Sequence, residues 1–175
     1  MNLQPTLEDE LIILRPLAGH EFEVLYEVAK DPLIWEQHPN WDRYKKEVFI
    51  EFFSGAMESK GAFLILDKET GKAIGSTRFK KVEGAEDAIE IGWSFLARNK
   101  WGGSYNRSMK KLMIDYALDH LEHIIFYVGK ENIRSQKAVE KLGGRQITIP
   151  ELDHLVRKNG IDLTYRIGKE DWKMY

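Results

Sequence analysis

Ala88-Ile89-Glu90-Ile91-Gly92-Trp93-Ser94-Phe95-Leu96, followed at once by Ala97-Arg98-Asn99-Lys100-Trp101-Gly102-Gly103-Ser104-Tyr105-Asn106, is the stretch on which the fold turns. From Asp87 to Leu96, Ile89, Ile91, Trp93 and Phe95 alternate with Ala88, Glu90, Gly92 and Ser94. This predicts a strand with one apolar face and one small or acidic face that carries Glu90. Arg98 to Gly103 then read as a glycine-containing turn, after which Tyr105, Met109, Leu112, Met113, Tyr116 and Ala117 recur at helical spacing. Strand, glycine turn and helix in that order suit an anion, because glycines let backbone N–H groups turn inward and the helix start adds partial positive charge. A phosphate needs no Walker lysine there, and Lys100 and Arg107 are at hand to supplement the charge. The same residues also suit a plain strand-to-helix turn with a glycine hinge.

Working outward, Leu11-Ile12-Ile13-Leu14, within Glu10 to Pro16, is short enough for a strand and is closed by Pro16. Phe22, Leu25, Val28 and Ala29 predict a helix that Asp31-Pro32 ends, and Val48, Phe49, Phe52, Phe53, Ala56 and Met57 predict a second. Between them runs a turn-like segment, Trp35 to Trp41. Ala62 to Asp67 and Lys72 to about Val82 read as a hairpin about Lys68-Glu69-Thr70-Gly71. Beyond the long helix, a strand is predicted at His123 to Val128 and a short helix from Asn132 to Leu142, with Asn132 placed to cap its start and Gly143-Gly144 its end. Arg145 to Ile149 and Ile161 to Ile167 are strand-like. The order β-α-α-β-β-β-α-β-α-β-β predicts one α/β (α+β) domain over residues 1–175, layered about a mixed sheet.

Composition removes several functions. Lys and Arg number 26 against 28 Asp and Glu, so the chain lacks the basic excess that binding nucleic-acid phosphates demands. Zero cysteines exclude a disulfide framework, a thiolate zinc site and a cysteine nucleophile. No run approaches the ~18 apolar residues of a membrane span, and the first twenty residues carry acids before a short apolar run, unlike a signal peptide. The expectation is a cytoplasmic protein without membrane or nucleic-acid partners. His120 and His123 straddle a helix end and a strand start, so no metal site is expected.

The segment Asn132-Ile133-Arg134-Ser135-Gln136-Lys137-Ala138-Val139-Glu140-Lys141-Leu142-Gly143-Gly144, taken with the loop at 98–106, resembles the coenzyme A motifs of the GCN5-related N-acetyltransferases. Glu90-Ile91-Gly92-Trp93 and Trp101-Gly102-Gly103-Ser104-Tyr105 resemble the branch containing the ribosomal-protein N-terminal acetyltransferases. One departure stands out. The family pattern is Gln or Arg, two residues, Gly, one residue, then Gly or Ala, and with its first glycine on Gly102 the outer positions fall on Asn99 and Ser104.

The resemblance implies a mixed, splayed sheet flanked by helices and an acetyl-CoA-dependent transfer to a primary amine, made directly in a ternary complex and without metal. It places the pyrophosphate on Trp101, Gly102, Gly103, Ser104, Tyr105 and Asn106, and pairs the pantetheine amides with the backbone of Ser94, Phe95 and Leu96. Asn132 is implied to bond the pantetheine or the leaving sulfur, Glu90 to be the base, directly or through water, and Ser135 the acid, with Tyr127 as a substitute acid. Each has a structural alternative: a solvated strand residue or an ion pair for Glu90, a helix cap for Asn132, a first-turn polar residue for Ser135, packing for Tyr127. The connection between the early helices is implied to wall the acceptor site, where Trp35, Glu36, His38 and Trp41 suit a cation; the alternative is that the tryptophans anchor the turn to the core. The acceptor is a protein N-terminus or a small-molecule amine, the oligomeric state is open, and the competing function is a non-catalytic acyl-CoA-binding module.

Overall fold

The run Ala62-Phe63-Leu64-Ile65-Leu66 shows no polar alternation, and the computed structural model, which describes residues 1–147 and 150–172, gives the reason. Helices cover both faces of this strand, so both sets of side chains meet apolar partners. The strands in chain order are β1 (Leu7–Glu8), β2 (Ile12–Pro16), β3 (Ala62–Asp67), β4 (Ala73–Lys81), β5 (Ala88–Leu96), β6 (His123–Gly129), β7 (Arg145–Gln146) and β8 (Asp162–Gly168). The helices are α1 (Phe22–Ala29), α2 (Lys46–Ser59), α3 (Ser104–Leu118), α4 (Ile133–Glu140) and α5 (Lys169–Trp172). One sheet forms, ordered β1-β2-β3-β4-β5-β6-β8-β7, with β5 and β6 parallel and the other neighbours antiparallel.

This is the mixed sheet flanked by helices that the element order predicts. Leu25 and Ala29 of α1 and Phe49, Phe52, Phe53 and Ala56 of α2 pack with Ala62, Leu64 and Phe95 on one face. Met109, Met113, Ile114 and Ala117 of α3 and Val139 of α4 pack with Phe63, Ile65, Ile89 and Ile91 on the other. The strand expected over Arg145 to Ile149 is seen at Arg145–Gln146, and residues 148–149 lie outside the described residues. No helix is long and apolar enough to cross a membrane among the described residues.

The alternation read along β5 needs correction. Trp93 sits at φ 52, and the register with β4 jumps from Ser76↔Phe95 to Arg78↔Gly92, so one extra residue is accommodated opposite Thr77. Such a bulge reverses the side-chain parity beyond it. Ile89 and Ile91 therefore face α3 while Phe95 joins the α1 and α2 side, and Ser94, rather than a large apolar residue, meets Thr77 and Lys110. Close to the bulge the sheet opens. The β5–β6 ladder stops at Glu90↔Ile125, although β5 continues to Leu96 and β6 to Gly129.

Under that opening α3 buries a lysine. Lys110 is 7 % exposed, donates from Nζ to Ser94 Oγ at 2.6 Å, lies 5.3 Å from the Phe126 ring centroid and forms no ion pair among the described residues. Burial pushes its pKa from 10.5 down to about 7.

Two outcomes are expected. A Cβ on Gly75 would lie 2.0 Å from the Phe95 carbonyl oxygen, a backbone atom that cannot step aside, so Gly75→Ala should cost about 1–3 kcal/mol of stability in chemical denaturation. Lys110 releases its proton near pH 7 when folded but holds it to about 10.5 when unfolded, so its burial destabilises the fold at and below neutral pH and ceases to do so as pH climbs toward 10.5. Lys110→Met should accordingly raise the thermal midpoint at pH 7, with an advantage that shrinks steadily to pH 10; a constant advantage would mean that the amine does not titrate in this range.

Candidate active site

Where β5 and β6 diverge, a cleft of about 360 Å³ opens across the sheet. Glu90 to Ser94 of β5 and Phe126 to Gly129 of β6 line it, with Asn106 and Lys110 of α3, and Asn132, Ser135 and Val139 at α4. The connection between α1 and α2 supplies Trp35, His38, Pro39, Asn40 and Arg43, and the chain after β7 supplies Arg157 and Asp162. Residues expected to act together from distant parts of the sequence, namely Glu90, Ser94, Asn106, Asn132, Ser135, Trp35 and His38, thus share one cavity.

The glycine turn leads into α3 without a side-chain cap. Gly103 occupies the capping position, so the N–H groups of the first turn lack an intrahelical or capping partner. Gly102, at φ 71, makes the turn that a side chain would strain, and a Cβ at Gly102 or Gly103 would meet nothing within 4 Å. Gly102, Gly103 and Ser104 are exposed. Open space before uncapped amides fits a diphosphate. The side chains around it do otherwise than expected. Lys100 turns away to Asp67, at 2.9 Å, and to the Tyr105 hydroxyl, at 3.0 Å, and Arg98 pairs with Asp31. Lys100 and Tyr105 therefore pin the loop to the end of β3, while Trp101 pins it to β5 by donating from Nε1 to the Leu96 carbonyl at 2.9 Å.

On the β4 side, Phe95 and Leu96 pair with Ser76 and Gly75. On the other side the β5 ladder with β6 has ended, so this edge of Ser94 to Leu96 faces the opening, with the Leu96 carbonyl already accepting from Trp101.

Glu90 lies on the cleft wall, 4 % exposed, with Oε2 3.1 Å from Arg157 Nη2. Desolvation raises its pKa, and the positive charges of Arg157 and Lys80 oppose that rise without cancelling it. Gly92 keeps the space beside the carboxylate: a Cβ there would be 3.2 Å from Glu90 Oε1. Arg157 also reaches Asp162 at 3.5 Å and lies 3.6 Å from the centroid of the Tyr127 ring, whose hydroxyl donates to the Leu155 carbonyl at 3.0 Å. Tyr127 is thereby packed and bonded away from a transferable proton. Asn132 accepts from the Ser135 amide at 3.1 Å as the cap of α4, which leaves its side-chain nitrogen as a donor. The Ser135 hydroxyl forms no hydrogen bond among the described residues and lines the cleft.

The connection between the early helices is not the cation box expected of it. Trp35 is 3 % exposed, donates from Nε1 to the Ala29 carbonyl at 2.7 Å and packs on Phe52 and Phe95; only part of its surface reaches the cleft. Glu36 turns to Arg134 at 3.4 Å, and Trp41 is 57 % exposed with Lys45 over its ring, so neither lines the cavity. His38 does, but burial and the nearby Arg43 charge lower its pKa to about 4, leaving it neutral at pH 7.

Sequence reading passed over Lys110, Arg43, Arg157 and Asp162. Lys110 left a signal, since it shares the buried face of α3 with Met113 and Ala117. Arg157 and Asp162 left none: Arg157 reaches Glu90 across 67 residues of sequence, and Asp162, at the start of β8, joins the site through Arg157. No group of three His, Asp or Glu side chains able to hold a metal occurs among the described residues.

Comparison with known proteins agrees with this architecture. Residues 12–145 match the model of the acetyltransferase (GNAT) domain. The chain is 28% identical over 144 residues to the uncharacterized N-acetyltransferase p20 of Bacillus licheniformis, covering 78% of this chain and 80% of that protein. A GCN5-related N-acetyltransferase from Brucella melitensis has a similar structure, with a TM-score of 0.75 at 20% identity over 97% of this chain and 81% of the other. RimJ of Mycobacterium smegmatis, solved in complex with CoA-disulfide, shares the fold with a TM-score of 0.67 at 19% identity, over 95% and 87% of the two chains. The matched domain spans most of the chain and includes both the diverging strands and the uncapped helix start, and the chain belongs to the GNAT family of acetyltransferases.

Proposed function

We propose that this protein transfers an acetyl group from acetyl-CoA directly to a primary amine held over Glu90, on a scaffold of the ribosomal-protein acetyltransferase type. The observation that carries the reading is the cleft itself: a carboxylate, an unbonded hydroxyl and an opened strand edge converge where the sheet parts, beside an uncapped helix start.

Acetyl-CoA supplies the activated thioester, and the protein's groups do the rest. The amides of Gly103 to Tyr105 hold the diphosphate, and the free edge of Ser94 to Leu96 meets the pantetheine amides as an added strand would. Glu90 accepts the proton of the incoming ammonium. Its desolvation raises its basicity, bringing it nearer the amine it must deprotonate than an exposed carboxylate would be. Ser135 gives a proton to the departing sulfur, and the Asn132 side-chain nitrogen donates to the same arm. With its first proton on Glu90, the amine attacks the carbonyl carbon, the C–N bond forms and the C–S bond breaks; the second proton lost from nitrogen restores the Ser135 hydroxyl as Ser135 protonates the departing thiolate.

The ion pair between Glu90 and Arg157 favours a second reading, a module that binds acyl-CoA and uses Glu90 only to anchor the tail. One substitution separates the two. Glu90→Gln should lower kcat by ~10²–10⁴-fold with acetyl-CoA affinity nearly unchanged in calorimetry, because general-base contributions are of that size. Wild-type turnover in this variant would place the base elsewhere, and absence of turnover in the parent with tight acetyl-CoA binding would favour the binding module. Gly102→Val should weaken acetyl-CoA binding in the folded protein, since a branched side chain strains the φ 71 turn that leads into the first amides of α3.

A further inference from the structure

Both carboxylates that line the cleft, Glu90 and Asp162, are paired with Arg157, whereas another guanidinium lining it, that of Arg43, forms no ion pair among the described residues. Arg43, on the connection between α1 and α2, is half-buried among aromatic rings, 4.9 Å from the Phe52 centroid and 5.5 Å from that of Trp35. Its hydrogen bond is to His38, with Nη1 3.1 Å from Nε2, and it forms no salt bridge among the described residues. Burial lowers its pKa to about 10, which still leaves it charged at neutral pH.

A second guanidinium intensifies the charge. Arg78 lies 5.5 Å from the same Phe52 ring and donates to the carbonyls of Gly55 and Phe52, at 2.9 and 3.2 Å, so its partners are neutral too. Of the acids on this connection, Asp42 acts on Arg43 through its charge without forming an ion pair with it, and Glu36 is turned to Arg134. A half-buried cation without a carboxylate hydrogen-bonded to it is costly beside a cavity unless a ligand completes it, and the planar guanidinium is matched by an oxyanion with two oxygens in one plane.

We propose that the acceptor is an amine that also bears a carboxylate, and that Arg43 binds this carboxylate while the amine lies at Glu90. This rests on the transferase reading above and specifies its substrate class: an amino acid or a peptide with a nearby carboxylate. It runs against a polyamine or another polycation, whose additional positive charges would face Arg43 and find no uncommitted carboxylate in the cleft. Charge thus selects the acceptor as much by repulsion as by attraction.

The test uses the full chain and acetyl-CoA, with CoA release as readout and matched amines as acceptors. Glycylglycine is compared with glycylglycinamide, β-alanine with β-alaninamide, and O-phosphoethanolamine and spermidine stand as phosphate and polycation arms. At least one carboxylate is expected to exceed its amide by about tenfold or more in kcat/KM, the worth of a charged hydrogen bond in a semi-buried site. Arg43→Gln should shrink this ratio toward one, chiefly through KM of the carboxylate, and Arg43→Lys should restore part of it. Equal turnover of carboxylate and amide, preference for spermidine or for the phosphate, or an undiminished ratio in a folded Arg43→Gln variant would overturn the proposal. Should Arg43→Gln fail to fold, the wild-type ratios and Arg43→Lys decide. Acetyl-CoA binding in calorimetry without turnover of any amine would instead overturn the transferase reading, and this inference with it.

Discussion

A parallel pair of strands that hydrogen-bonds over only part of its length is the constraint on which this molecule depends. β5 and β6 are joined through Glu90↔Ile125 and then part, so backbone groups that a continuous sheet would satisfy face a cavity. The bulge at Trp93 accompanies that separation by turning the second half of β5 out of register with its first half. Everything placed around the opening follows: α3 starts from the loop that β5 feeds, α4 caps itself where β6 ends, and the segment leading into β8 sets Arg157 against Glu90.

The polar groups at this opening are arranged as a chain of dependencies. Glu90 is buried enough for its pKa to rise, yet Arg157 keeps it from being an isolated buried charge, and Asp162 shares the guanidinium. On the α3 side Lys110 has a serine hydroxyl for a partner and no carboxylate, and burial brings its amine close to neutrality at pH 7. Ser94 faces this lysine solely because the bulge shifted the strand's parity; without it the alternation would aim a different residue at α3. Stability is thus given up in the helix whose first turn is uncapped, in keeping with functional sites that retain locally unfavourable groups.

The loop between β5 and α3 shows how local charge can mislead. Lys100 and Arg107 lie beside a glycine turn and suggest supplementary phosphate ligands, but Lys100 pairs with Asp67, as the neighbouring Arg98 does with Asp31, and Arg107 is exposed. Lys100 and Arg98 fix the loop's position, and what faces the open space before α3 is uncapped backbone amides. A similar exchange occurs on the connection between α1 and α2, where Trp35 is core, Glu36 ties to α4 through Arg134, and the residue left facing the cavity with unspent charge is Arg43.

The sequence alone was sufficient for the layering and all but the shortest elements, β1 and α5, because periodicities of two and 3.6 are written locally: the burial of Phe49, Phe52 and Phe53 on α2, of Met109 and Met113 on α3, and the cap at Asn132 all follow from neighbours within a few residues. It also pointed to Glu90 and Ser135, which meet in one cleft, because strand and helix motifs carry them at recognisable positions. What it could not express was pairing between distant side chains and a parity change inside a strand. A one-residue bulge leaves no alternation signal, since Ile89, Ile91, Trp93 and Phe95 alternate in the chain whether or not they share a face. The ion pair of Glu90 with Arg157, the isolation of Arg43 and the burial of Lys110 were decided by tertiary structure alone, because whether a charge is neutralised depends on which elements the fold brings within a few ångströms of it.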